Sequence, residues 1–295
     1  MRRLPGILLL TAATVIVVVA LLVSGLRLVL PQLNSWRPQV LEKVSAMAGV
    51  PVDASQITAS WQTFGPTLDV RDIKAGLSDG GELSVKRVTL ALDVWQSLLH
   101  MRWQFRDLTF WQLQVHTNTP IQTNNSGEGL KTDRISDLFL RQFDHFTLRD
   151  SHLSFLTISG QRAELTIPQL TWLNGKNRHR AEGPLSLSSL TGQHGVMQVR
   201  MDLRDEDGLL NKGRVWLQAD DIDVKPWLGR WMQDNIALQS AKFSLEGWMT
   251  IDKGDVASGD VWLKKGGASW QGDKDKHHLS VDNLTAHIYR DNHSW

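Results

Sequence analysis

From Met197 to Arg204 the chain alternates without a slip. Met197, Val199, Met201 and Leu203 fall on one side; Gln198, Arg200, Asp202 and Arg204 fall on the other. A side-chain period of two belongs to a β-strand with one dry face and one wet face. The pattern recurs behind the N-terminus, in short strands with turns every dozen or so residues, which reads as an antiparallel meander. A strand of about eight residues shows about four apolar side chains on its dry face, and leaving them in water forfeits roughly 6–12 kcal/mol. A cover is therefore compulsory. A second sheet, helices or lipid could supply it, and the predicted helices are too short and few. The residues leave a closed β-sandwich and a lipid groove level.

Leu68 to Leu77 reads as a strand whose alternation breaks at Arg71-Asp72. Asp79-Gly80-Gly81 is a hairpin turn signal, and Leu83 to Val94 is the return strand, with a break at Lys86-Arg87. Further strands are read at Phe105–His116, Phe146–Leu156, Gln161–Leu173 (interrupted by Pro168), Leu185–Leu190, Val196–Arg204, Arg214–Asp220, Phe243–Ile251, Gly259–Lys264 and Leu279–Tyr289. Asn174 to Arg180 reads as a basic turn, and Asp205-Glu206-Asp207-Gly208 as a hairpin tip. Short helices are expected at Trp95–Met101, Ile135–Phe143 and Pro226–Asn235, and a polar loop at Pro120–Gly129. A loose repeat of strand, polar pair with Asp, strand recurs at Phe105–Phe110, Phe146–Phe155 and Val281–Ala286. It is too degenerate for a propeller or a leucine-rich repeat.

Residues 1–30 read as a membrane anchor. Arg2 and Arg3 precede Ile7 to Leu26, an uncharged apolar run of the roughly 20 residues that span a bilayer. A cleaved signal peptide is the alternative, but its apolar core is usually only ~7–15 residues. The two arginines favour a cytoplasmic N-terminus, with the bulk of the chain on the far side. Residues 31–51 read as an amphipathic helix capped by Ser35, with Trp36, Val40, Leu41, Val44 and Met47 on one face and Gly49 and Pro51 ending it. Residues 52–295 form the β domain. The 13 Trp against one Tyr suit wide apolar surfaces and membrane interfaces.

Little here carries chemistry. A formal net charge of +1 argues against nucleic acid as a partner. The absence of cysteine excludes disulfides, thiolate metal sites and a Cys nucleophile. His277 and His278 are adjacent, so on a strand their rings face opposite sides and do not share a metal. His145 and His152 read as surface residues beside a polar turn. Asp205-Glu206-Asp207-Gly208 opens like a calcium loop but lacks the remaining ligands. Three Asn-X-Ser/Thr matches, beginning at Asn124, Asn283 and Asn292, are of the length that chance supplies. No phosphate loop, nucleophile elbow or zinc helix motif occurs, so no catalytic residue, metal or cofactor is expected.

Several long, Trp-marked stretches resemble the AsmA-like family: Met1 to Leu10, Ala59-Ser60-Trp61 with Phe64 to Leu68, Gly81 to Trp111, Leu138 to Phe146, Ser188 to Val196, and Ala241 to Asp255. The resemblance covers essentially the whole chain and is to the N-terminal part of longer proteins, so a continuation beyond Trp295 is expected. It implies a mainly β fold, in which a transmembrane helix is followed by an extended antiparallel β-groove with a few short helices. It also implies a single-pass bacterial inner-membrane protein, with its bulk in the periplasm, that carries phospholipid towards the outer membrane and supports the permeability barrier. The expected partners are phospholipid and the inner membrane, with envelope proteins admitted at either end. On this reading Met197, Val199, Met201, Leu203, Phe243, Leu245 and Met249 are the lipid-facing candidates, and Arg200 and Glu246 lie on the wet side. A non-catalytic scaffold built on a closed sandwich is the alternative.

Overall fold

The computed structural model describes residues 17–289, apart from positions 18, 19, 22, 26 and 49 and the stretches 63–64, 77–80, 101–103, 121–139, 141–142, 157–161, 190–194, 207–208, 226–236, 253–254 and 273–274. The expected membrane span lies mostly outside these residues. Its described positions from 17 onward are helical, and among the described residues no helix is long and apolar enough to cross a membrane. A 3-10 turn, Leu30–Trp36, leads into helix α1, Arg37–Ala48. Ser35 does not cap this helix. It sits inside the turn and its hydroxyl donates to Gln32 O at 2.6 Å. Helix α2 is Val94–His100, as the sequence suggests. The predicted helix at Pro226–Asn235, and that at Ile135–Phe143 except Leu140 and Phe143, lie outside the described residues.

The strands are β1 (Val52–Asp53), β2 (Gln56–Gln62), β3 (Gly65–Gly76), β4 (Glu82–Leu92), β5 (Phe105–Pro120), β6 (His145–Leu156) and β7 (Arg162–Asn174). Then follow β8 (Arg178–Ser189), β9 (Gly195–Glu206), β10 (Leu209–Asp223), β11 (Leu238–Asp252), β12 (Asp255–Gln271), β13 (Lys276–Val281) and β14 (Leu284–Tyr289). All join one 14-stranded sheet in the order β1-β3-β4 and onward in sequence to β13, with β2 also on β3 and β14 also on β12. No second sheet packs on it among the described residues, so the closed sandwich has no partner layer there. The predicted strand Leu279–Tyr289 divides at Asp282-Asn283 into β13 and β14, and both lie along the 17-residue β12.

The pairing sense of the sheet departs from the expectation. The sheet is not wholly antiparallel, because β5 and β6 pair in parallel. A parallel pair needs a long crossover between its strands, and most of the residues between β5 and β6 lie outside those described. The expected turn at Asn174–Arg180 shortens to 175–177, closed by Gly175 N–H donating to Arg178 O at 2.7 Å, and β8 begins at Arg178.

The breaks read at Arg71-Asp72, Lys86-Arg87 and Pro168 belong to a seam across the sheet. The ladder lapses at Asp72 in β3, Lys86 in β4, Gln112 in β5, Asp150 in β6 and Pro168 in β7. These five positions lie in line across the strands. Asp72, Gln112 and Asp150 take left-handed φ of 50°, 52° and 49°. Two successive side chains then face solvent, as at Lys86-Arg87, Arg149-Asp150 and Pro168-Gln169. Each strand changes phase there, so Leu68 and Val70 before the seam share a face with Ile73 and Ala75 after it. Strand β8 keeps one phase throughout, and the mismatch is absorbed by a register shift between Thr166 and Thr171. Gly183 lies at that shift. A Cβ there would fall 2.2 Å from Gln169 O, so only glycine lets the backbones approach.

The result is one apolar face. Its core runs from Val85 and Val88 on β4 through Leu108, Phe110, Phe146, Leu148, Ile167 and Leu170 to Val199 on β9. Leu108 is 1% exposed although only one sheet is present, so the side-chain rows close over one another as the sheet curls towards this face. Phe143, at the end of the crossover, helps to close it, 5.7 Å from Phe105 in an edge-on contact.

Candidate functional site

Directly paired residues on neighbouring strands share a face. The register therefore places the sequence candidates in rungs. Met197 stands beside Ala219, Leu245 and Leu263, and Leu284 follows on β14. The next rung is Val199, Leu217, Gly247, Val261 and Ala286, and the next Met201, Val215, Met249, Gly259 and Ile288. Leu203 continues through Gly213 to Ile251. Phe243 pairs with Ile222, beyond the point where β10 changes phase at Asp221, a further left-handed residue with φ 51°. All seven candidates thus lie on the apolar face that carries the core.

The face is not uniform. Val199 and Leu203 are buried by neighbouring protein, whereas Met197, Met201, Phe243, Leu245 and Met249 are half-buried. Beyond β12, Leu284 and Ile288 are 48% and 42% exposed. The trough is closed over in the middle of the sheet and opens towards β10–β14. The candidate list missed Val215 and Leu217 on β10, and Val261, Leu263, Leu284 and Ile288 beyond. The signal was present, since Val215, Leu217 and Ala219 alternate with Trp216 and Gln218.

The opposite face is charged. Arg87 Nη2 lies 2.6 Å from Asp69 Oδ2, Arg200 Nε 2.8 Å from Glu182, and Lys264 Nζ 2.6 Å from Glu246. Arg178 holds Asp202 through two nitrogens. That hydrogen bond, with the charges of Arg178, Arg180 and Arg204, keeps the Asp202 carboxyl below the usual range despite some burial. Exposed pairs of this kind contribute little, screened as they are by water and salt, so the apolar face dominates stability. A cavity of about 950 Å³ opens on this charged side, lined by Arg178, Arg180, Arg200, Asp202, Arg214 and Trp248 among others. Several tryptophans also stand here rather than in the trough. Arg149 lies 5.3 Å over Trp111, Arg200 lies 5.1 Å over Trp216, and Trp216 and Trp248 are 6.2 Å apart. The Trp excess therefore serves both faces, with Trp172 stacked on Phe146 at 5.8 Å on the apolar side.

A buried polar cluster without a sequence signal ties Phe143 and Asp144 to β7. Asn174 Nδ2 donates to Phe143 O at 2.8 Å, and its backbone N–H donates to Asp144 O at 2.7 Å. Asn174 Oδ1 accepts from Trp172 Nε1 at 2.7 Å and lies 2.6 Å from Nδ1 of buried His179. With Asn174 Oδ1 as acceptor, His179 carries its proton on Nδ1. Beside this cluster, His145 is not the surface residue expected. It is partly buried, with Nδ1 3.0 Å from Asp144 Oδ2. The hydrogen bond to Asp144 raises the His145 pKa against the effect of burial, helped by the Asp144 and Asp107 charges. Burial alone would raise Asp144, but bonds from His145 and the backbone N–H groups of His145 and Phe105 outweigh it and hold the carboxyl low. Among the described residues no cluster of His, Asp and Glu is placed to hold a metal. His277 stacks on Trp270 at 5.6 Å.

A single sheet, apolar along one face and charged along the other, defines a β-groove protein. The chain belongs to the YhdP family, since the family model described as "YhdP protein" matches residues 1–295. It is 74% identical over 295 residues to the intermembrane phospholipid transporter YhdP of Escherichia coli (strain K12). The match covers 100% of this chain and 23% of that protein, so the chain spans about a quarter of its relative's length.

Proposed function

We propose that this chain is the membrane-anchored opening segment of a phospholipid conduit between two membranes. Residues 1–30 anchor it in the bacterial inner membrane with the N-terminus cytoplasmic. Residues 31–51 seat the sheet, and residues 52–295 form the periplasmic groove. Acyl chains lie along the apolar face, over Met197, Met201, Phe243, Leu245 and Met249, with Val199 and Leu203 forming the floor beneath. Headgroups stay in water at the open edge. The relative's name supplies the ligand class. The observation that carries the reading is the apolar face that continues unbroken from β3 to β14 across the seam.

No step here is chemical. Transport needs only a path on which a chain of methylenes exchanges one apolar surface for another, at ~0.8 kcal/mol per CH₂ kept from water. A charge in the path blocks it, because acyl chains cannot solvate a carboxylate. The test is phospholipid retained by the purified chain, read by mass spectrometry after extraction. The chain should carry phospholipid, and a Leu217→Asp/Leu245→Asp variant that folds should carry several-fold less. Equal retention in the folded variant would contradict the assignment.

A further inference from the structure

Helix α2 leaves two large apolar side chains in water. Trp95 is 64% exposed and Leu99, one turn on, is 76% exposed. The helix is firmly held. Gln96 N–H donates to Asp93 Oδ1 at 3.0 Å and Ser97 Oγ donates to Asp93 O at 2.6 Å. Asp93 N–H donates to Gln104 O at 2.9 Å and Gln104 N–H to Ser97 Oγ at 2.9 Å, which ties α2 to the start of β5. The same side chains are thus presented permanently, not by a loose end.

Position decides what covers them. The segment leading into α2 packs against the first residue of β3, where a Cβ on Gly65 would lie 2.2 Å from Leu92 O and 3.3 Å from Val94 Cγ2. Gly65 closes the β2–β3 hairpin, in which Trp61 pairs with Pro66. Arg27, from the N-terminal helical segment, lies 6.0 Å over the Trp61 ring. That segment carries Val17, Leu21 and Leu28 at 56%, 68% and 75% exposed, which suits lipid rather than water. The hairpin therefore joins the apolar N-terminal segment and α2 at one end of the sheet. Leu92 pairs with Phe105, which packs on the trough's core, so the apolar face adjoins α2.

We propose that α2 docks on the surface of the bilayer that holds the N-terminal helix, with Trp95 and Leu99 seated in the headgroup–acyl boundary. An aromatic residue beside an aliphatic one, near a membrane-proximal arginine, is the composition that binds such a boundary. This second contact fixes the tilt of the sheet against the leaflet. The inference rests on the anchor in the proposed function.

The chain has no cysteine, so single labels are unambiguous. The full chain is reconstituted into phosphatidylethanolamine–phosphatidylglycerol vesicles with an environment-sensitive NBD label on L99C, W95C, Q96C or L21C in turn. Nitroxide-bearing lipids serve as quenchers. The proposal requires blue-shifted, lipid-quenched emission at 99 and 95, water-like emission at 96, and quenching at 21. Quenching at 21 with water-like emission at 99 would overturn α2 docking and leave the anchor standing. Loss of quenching at both would overturn the anchor as well. A blue shift at 99 that lipid does not quench and that grows with protein density would mean packing against a second copy, which also overturns the proposal.

Discussion

At the residue scale, stability is set at a few positions that break the strand rules. Gln112 holds a left-handed φ of 52° in mid-strand. That conformation costs an ordinary L-residue about 1–2 kcal/mol and a glycine almost none. Gln112→Gly should therefore be neutral or slightly stabilising in urea unfolding, whereas Gln112→Val should lose at least about 1 kcal/mol. The Asp144–His145 pair predicts a pH dependence. His145 has a raised pKa, so its contribution is complete below the ordinary histidine value and fades as pH rises through the folded one. Asp144 has a lowered pKa, so its contribution is complete above the ordinary carboxylate value and fades as pH falls through the folded one. The pair acts fully between about pH 4 and 6.5. The melting-temperature deficit of His145→Gln should be larger at pH 5.5 than at pH 8.5.

At the element scale, the seam lets 12- to 16-residue strands keep one face dry along their length. A 16-residue strand runs about 53 Å, and the phase change re-aims its second half onto the same trough. The β7–β8 step closes the seam at Gly183. Gly183→Val would drive its Cβ into Gln169 O and should cost several kcal/mol, read as a lower unfolding midpoint, with the β7–β8 amides losing hydrogen-exchange protection first. Part of the seam is legible in sequence. Arg71-Asp72, Lys86-Arg87 and Arg149-Asp150 interrupt apolar alternation with a polar pair that can only face water. The Gln112 lapse is hidden because Trp111 looks apolar yet lies on the charged face beneath Arg149. The start of β8 is hidden because Arg178, His179 and Arg180 read as a turn, although His179 is buried against Asn174. The parallel β5–β6 pair is invisible to local pattern, since it depends on where a long crossover lands.

At the scale of the whole molecule, alternation alone establishes two faces and leaves their cover open. The sheet supplies the missing fact, because its strands lie side by side in one layer and their dry faces merge. The candidates on β9 and β11 prove to be neighbours in one surface, joined by β10, and the burial gradient separates floor from opening. Charge and ion pairs line the other face, so the molecule is apolar on one side and charged on the other.

Acyl chains are expected to travel on the half-buried apolar face. Photo-crosslinking amino acids placed singly at Leu217, Leu245 and Leu263, and at their outward neighbours Gln218, Glu246 and Trp262, test it in the envelope of living cells. Phospholipid adducts are expected at the first three positions and none at the second three. Adducts on the outward set alone, or on neither set in folded and correctly inserted protein, would contradict it.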